Sequence, residues 1–68
     1  MNRKQLGKKI KEARTSNNMT QFQLCRVLGF SQAKLCKMEK GIVEPSAIEY
    51  FNMVKILKTD LGVKQAEV

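Results

Sequence analysis

Residues 20–41 read TQFQLCRVLGFSQAKLCKMEKG, a segment in which two capping residues are each followed by a glycine. Thr20 and Ser31 have hydroxyl groups that can accept an unpaired backbone N–H at the start of a helix. Gly29 and Gly41 tolerate the positive φ at which helices commonly end. The order of cap, glycine, cap and glycine therefore predicts two short helices joined by a tight turn.

The apolar residues of this segment lie on one side of each predicted helix. Leu24, Cys25 and Leu28 recur at helical spacing and share one face of the first helix. Leu35 and Met38 lie three positions apart, on one face of the second. Two short helices with a glycine in the turn between them form a helix-turn-helix.

The opposite side of the second helix has small, amide and cationic side chains and no acid. These residues are Gln32, Ala33, Lys34, Cys36 and Lys37. In the major groove of DNA, glutamine pairs with adenine, lysine reaches guanine or a phosphate, and alanine contacts a thymine methyl. The alternative is an ordinary solvated helix face. The capping pattern and the sign of the charge favour DNA.

The agreement with a known pattern extends well beyond this segment. The matching residues are LGKKIKEAR at 6–14, Met19, Thr20, Gln21, Leu24, LGFSQ at 28–32, Leu35, MEKG at 38–41, Pro45 and Ser46. Together they resemble the Cro/C1-type (phage repressor-like, XRE) helix-turn-helix family, over about residues 3–57 without a gap. The resemblance implies an all-α, compact four- to five-helix lambda-repressor-like domain. We expect residues 1–68 to form a single such domain.

The same resemblance implies roles for individual residues. It implies contact with the DNA backbone for Gln21, while side-chain chemistry predicts base reading by Gln32, Ala33 and Lys37 and backbone contacts by Ser31, Lys34 and Lys40. Gln21 is also expected to brace the first residues of the recognition helix. Arg14 is expected to pair with Glu39 and to hold the recognition helix at its angle, a structural role.

Several places depart from the family pattern, among them two outer positions of the first motif helix and the loop after the second. Phe22 and Val27 stand where relatives have polar residues, and isolated apolar residues on a surface are ordinary. The loop at 42–44 is apolar and acidic, whereas many relatives carry cations there. We therefore expect fewer phosphate contacts from this loop. Ile42, Val43 and Phe51 are candidates for a dimer or partner surface.

The remaining helices are predicted from caps and apolar spacing. Asn2 can cap a first helix, and Ser46 with Glu49 forms a capping box for a fourth. The predicted inward residues of the fourth helix are Ala47, Tyr50, Met53, Val54 and Leu57, and Ile48, Phe51 and Ile56 fall on other faces. Thr59 or Asp60 can begin a last short helix through Ala66, with Leu61 packing inward.

Composition supports a polyanion as partner. The 68 residues include 13 lysines and arginines against 6 acids, a net charge of +7. A small, strongly basic domain is expected to bind nucleic acid or an anionic membrane surface. No long apolar run, lipidation motif or signal peptide is visible in the sequence, so we expect a cytoplasmic protein without a membrane partner.

The residue types argue against metal, cofactor and catalysis. There is no histidine, no Cys-x-x-Cys, no glycine-rich phosphate loop and no facing pair of carboxylates. We therefore expect no metal, no cofactor and no enzyme. Cys25 and Cys36 are predicted to point apart, and the cytosol keeps thiols reduced, so we expect no disulfide.

Two functions follow as hypotheses. The first is a sequence-specific, double-stranded DNA-binding transcriptional regulator, of phage or bacterial repressor type, that reads the major groove with the helix at about 32–39. Because one such helix reads few base pairs, a homodimer on a pseudo-palindromic operator is expected. The second is a protein-interaction module of the same fold, antitoxin-like or anti-repressor-binding, that uses exposed apolar residues. The salt dependence of binding separates the two.

Overall fold

The computed structural model describes residues 2–58, and within them the chain forms helices only. The helices are α1 at Arg3–Ser16, α2 at Gln21–Leu28, α3 at Gln32–Glu39 and α4 at Ala47–Leu57. The predicted all-α fold is confirmed, with α2 and α3 as the helix-turn-helix. The last helix predicted after Thr59 lies outside the described residues.

Each helix begins at the residue that its sequence predicts. A side-chain oxygen of the N-cap accepts a backbone N–H three residues on, at Asn2 (2.8 Å), Thr20 (3.1 Å), Ser31 (3.1 Å) and Ser46 (3.2 Å). In α1, α2 and α4 the third helical residue returns the bond and completes a capping box. The starts of the helices are therefore encoded locally.

The two motif helices also end where predicted. Gly29 follows α2 in the left-handed region, at φ 81°. After α3, Gly41 adopts φ 78°, and the N–H of Ile42 donates to the carbonyl of Lys37 at 2.9 Å. This arrangement is a Schellman motif, which satisfies carbonyls that have no partner inside the helix.

The core is built from aliphatic and methionine side chains. Its fully buried members are Ile10, Leu24, Leu35, Met38, Met53 and Leu57, with Cys25 beside them. Two expectations for α4 are wrong. Ala47 is exposed, because the first residue of α4 extends past the core, and Ile56 packs against the core instead of facing away from it.

A close approach between α1 and α3 sets the position of the recognition helix. Gly7 is buried in α1 against the carboxyl end of α3. A Cβ at this position would lie 2.7 Å from the carbonyl oxygen of Glu39, closer than real Cβ atoms come. The absence of a side chain at Gly7 therefore lets the two backbones meet.

Candidate nucleic-acid interface

The exposed face of α3 consists of the residues predicted to read bases. Gln32, Ala33 and Lys37 are all exposed. On the opposite side, Leu35 is 0% exposed and Met38 is 1% exposed. Burial of these two side chains therefore fixes which face of α3 points outward.

A buried ion pair holds the end of α3. Arg14 is 8% exposed, and its Nε donates to Glu39 Oε2 at 2.7 Å while Nη2 donates to Oε1 at 3.1 Å. Arg14 Nη1 also donates to the carbonyl of Met19 at 2.8 Å. The structure thus has the predicted bidentate Arg14–Glu39 pair. Arg14 connects three parts of the chain: α1, α3 and the turn that precedes α2.

Gln21 belongs to the same network. Its Nε2 donates to Glu39 Oε1 at 3.0 Å. Gln21 therefore braces the last residue of α3, and not the first residues as predicted. The reason is that the Arg14 pair turns the Glu39 carboxylate toward the start of α2, where the Gln21 amide can reach it.

The thiol of Cys25 anchors the other end of α3. Its Sγ donates to the carbonyl oxygen of Ser31 at 3.3 Å, so the α2 side chain holds the N-cap of α3. Burial raises the pKa of Cys25, the nearby Glu39 charge raises it further, and Arg14 acts in the opposite direction. Cys25 and Cys36 are both free thiols. Helical spacing predicted an inward Cys25, but no feature of the sequence indicated this contact.

Lys34, which is partly exposed, has an intramolecular partner. Its Nζ forms an ion pair with Glu49 Oε2 in the first turn of α4, and it lies 5.3 Å from the centre of the Phe30 ring. The hydrogen bond from Lys34 lowers the pKa of Glu49 most, and the hydrogen bond from the Ser46 backbone N–H lowers it further. Lys34 was predicted to contact DNA phosphate, and in the free protein a carboxylate already occupies it.

The loop after α3 is fastened to α1. Lys40 is the C-cap residue of α3 and is exposed. Exposure is what its predicted contact with the DNA backbone requires. Arg3 Nη1 donates to the carbonyl of Ile42 at 3.4 Å, and Arg3 Nε lies 3.8 Å from Glu44 Oε1. The loop acid therefore neutralises a cation of α1.

The residues predicted as a dimer or partner surface divide into two groups. Ile42 and Phe51 are each 56% exposed and are free for contact. Val43 is half-buried and packs against the core, whereas its neighbour Ile42 points to solvent. Val43 is therefore less available for contact with a partner than Ile42 and Phe51.

Large apolar side chains are also exposed on the outer side of α2. Phe22 is 57% exposed and Val27 is 59% exposed. The Arg26 guanidinium lies 5.8 Å from the centre of the Phe22 ring. An open groove beside this side is lined by Asn18, Met19, Gln23, Arg26 and Val27.

Residues 2–58 contain no cluster of three or more potential metal-ligating side chains. Among the helices of this part of the chain, none has the length and apolar character that crossing a membrane requires.

Comparison with known proteins agrees with this geometry. The Helix-turn-helix family model matches residues 10–64. No curated protein matches the chain in sequence. Among solved structures, the restriction-modification controller protein C.AhdI from Aeromonas hydrophila superposes with a TM-score of 0.77 at 19% identity, over 85% of this chain and 88% of that one. At such low identity this likeness concerns the fold.

The fold and the exposed α3 face thus define a helix-turn-helix protein of the DNA-binding regulator class. The chain belongs to the helix-turn-helix family, of the Cro/C1 type that its sequence resembles.

Proposed function

We propose that this protein is a sequence-specific repressor that binds double-stranded DNA by placing α3 in the major groove. The observation that carries the proposal is the orientation of α3. Gln32, Ala33 and Lys37 are exposed, whereas Leu35 and Met38 are buried behind them. A major groove about 12 Å wide admits an α-helix presented in this way.

The chemistry of the three exposed side chains suits base edges. The Gln32 amide can donate to and accept from adenine, and the Lys37 ammonium can donate to guanine O6 or N7. Ala33 offers a methyl group to thymine. The network of Arg14, Glu39 and Gln21 supports this role, because it holds α3 rigidly before DNA arrives.

Phosphate contacts come from the helix starts and from cations. Neither α2 nor α3 has an acid in its first turn, so the positive end of each helix dipole is open to an anion. Gln21 and Ser31 lie at these two helix starts, and Lys40 is exposed at the end of α3. Lys34 joins them when its pair with Glu49 opens.

A homodimer on a pseudo-palindromic operator would supply the remaining specificity. Two α3 helices must then lie about 34 Å apart, one turn of DNA. The exposed Ile42 and Phe51 side chains are available for contact between subunits. The similarity to a restriction-modification controller supports a regulatory role.

Selection of binding sites from randomised duplexes tests the reading residues. Gln32→Ala and Lys37→Ala are each expected to lose about 1–3 kcal/mol of discrimination at one base position. Lys40→Ala is the matched control, because loss of a phosphate contact weakens all sequences alike. An unchanged preferred sequence in both reading variants would contradict the assignment.

A protein-binding role is the second candidate, and the exposed apolar residues of α2 favour it. Phe22, Arg26 and Val27 form a surface on the side of α2 away from the core. Binding through apolar contacts responds little to salt, whereas phosphate contacts weaken steeply. Phe22→Ser is expected to abolish partner binding and to leave DNA affinity intact.

A further inference from the structure

Within residues 2–58, Glu49 is the one acid outside α3 that forms an ion pair with a residue of α3. Glu39 is the last residue of α3 itself, and its side chain is 4% exposed and paired with Arg14 of α1. Glu49 Oε2 pairs with Lys34 Nζ, whose side chain is 42% exposed. A carboxylate therefore lies at the edge of the face that offers Gln32 and Lys37.

Both carboxylate oxygens of Glu49 and its backbone N–H have hydrogen-bond partners. Its Oε1 accepts the N–H of Ser46 at 2.9 Å, and its own N–H donates to Ser46 Oγ at 3.2 Å. Its other oxygen accepts the Lys34 ammonium. Among the helices of residues 2–58, only α4 has an acid in its first turn. Glu49 thus lies at the N-terminus of α4 and is paired with the Lys34 ammonium, two features that would also suit a phosphate.

We infer that Glu49 is an internal substitute for a DNA phosphate, which holds Lys34 in the free protein and releases it to the DNA backbone on binding. The inference rests on the proposed function. Its consequence is a lower affinity for every duplex, because Lys34 must exchange one anion for another. Since Lys34 contacts phosphate and not a base edge, the cost is independent of DNA sequence.

Glu49→Gln isolates this effect. Glutamine is also a capping-box residue, so the bond to the Ser46 N–H is retained while the charge is lost. Glu44→Gln is the matched control, because it removes the same charge from an acid that faces Arg3 instead of α3. Binding is measured by fluorescence anisotropy on a random-sequence 20-base-pair duplex and on the duplex obtained by selection.

We expect Glu49→Gln to tighten binding about 1.5- to 5-fold on both duplexes, as loss of an exposed ion pair allows. We expect Glu44→Gln to tighten it less. In a Lys34→Gln background, Glu49→Gln should have no larger effect than the control. An equal effect in both backgrounds, or one no larger than that of Glu44→Gln, would overturn the inference.

A measurement on the unmodified protein guards against variants that fold poorly. The side-chain carboxyl carbon of Glu49, followed by NMR, is expected to shift when the duplex is added, because Lys34 leaves it. An unchanged resonance at saturation would overturn the inference as well. If the wild-type protein binds neither duplex at low salt, the proposed function fails too. Sequence-preferring binding without these effects overturns the inference alone.

Discussion

Gly7 has no side chain, and this absence places the recognition helix. A glycine inside a helix normally costs about 1 kcal/mol relative to alanine. In α1 the close packing against α3 offsets that cost. The backbone of α3 occupies the space where a Cβ of residue 7 would lie. The residue is therefore selected by a contact between helices and not by helix propensity.

Gly7→Ala is expected to destabilise the protein by about 1–3 kcal/mol, although the same change stabilises an exposed helix. A Cβ at position 7 would force α1 and α3 apart. Urea denaturation followed by circular dichroism measures the change. Lys11→Ala on the exposed side of α1 is the control and should stay within about 0.5 kcal/mol of the parent. A stabilised Gly7→Ala protein would contradict the packing described for α1.

Glu49 makes a pH-dependent contribution to stability. Hydrogen bonding from Lys34 and Ser46 places its pKa in the folded protein below the ordinary value. The contribution is therefore complete above the unfolded pKa and is lost as pH falls through the folded pKa. At pH 7 we expect the free energy of unfolding to exceed that of Glu49→Gln by about 0.2–1 kcal/mol, since the pair is partly exposed.

The measurement is urea denaturation of both proteins at neutral pH and below the folded pKa of Glu49. The two free energies should converge in acid, where the carboxyl group is neutral in both states. A difference that stays constant with pH would show that the change acts through the capping box instead of the charge.

Between the helices, the Arg14–Glu39 pair is the principal polar connection. It joins α1 to α3 and is completed by Gln21 from α2. Because its members are buried, removal of one partner leaves an uncompensated charge in the interior. The pair therefore fixes how the helix-turn-helix is held against α1.

Arg14→Met is expected to cost about 3–5 kcal/mol in the free energy of unfolding, a large part of the stability of so small a domain. The double variant Arg14→Met, Glu39→Leu should recover part of this loss, because it removes the unpaired carboxylate too. Arg3→Met, which breaks an exposed pair with Glu44, should cost no more than about 1 kcal/mol. Chemical denaturation compares the three. Equal losses for Arg14→Met and Arg3→Met would contradict the structural role.

Across the whole molecule, a net charge of +7 is expected to promote association with DNA. Each phosphate neutralised by a cation releases counterions, so affinity falls linearly on a logarithmic salt scale. The exposed Lys40 at the end of α3 is proposed as one of these cations. Lys55, exposed in the last turn of α4, is a cation without an assigned role.

Lys40→Ala is expected to reduce the slope of log affinity against log salt by about one, and to weaken binding similarly on all sequences. Lys55→Ala has the same change in charge and serves as the control, with a smaller change in slope expected. Anisotropy titrations at several salt concentrations give both slopes. Identical slopes for the two variants would place Lys40 away from the phosphates.

The caps, the helix ends and the buried side of α3 could all be predicted from the sequence, because each depends on residues within one or two helical turns. Ser31 and Thr20 accept N–H groups three residues on, and Gly29 and Gly41 adopt the left-handed conformation. The spacing of Leu35 and Met38 then determines which side of α3 is exposed. The pairing of Arg14 with Glu39 was predicted from family resemblance.

Contacts between residues distant in the chain depended on the packing of the helices. No periodicity or local signature indicates the Lys34–Glu49 pair, the approach of Gly7 to Glu39 or the packing of half-buried Val43 against the core. Each arises only when helices meet at a particular angle and distance, which many side chains set jointly. Caps, glycines and apolar spacing thus determined the helices and the face that α3 exposes. The packing of the helices against one another determined that Lys34, at the edge of this face, is already paired with Glu49.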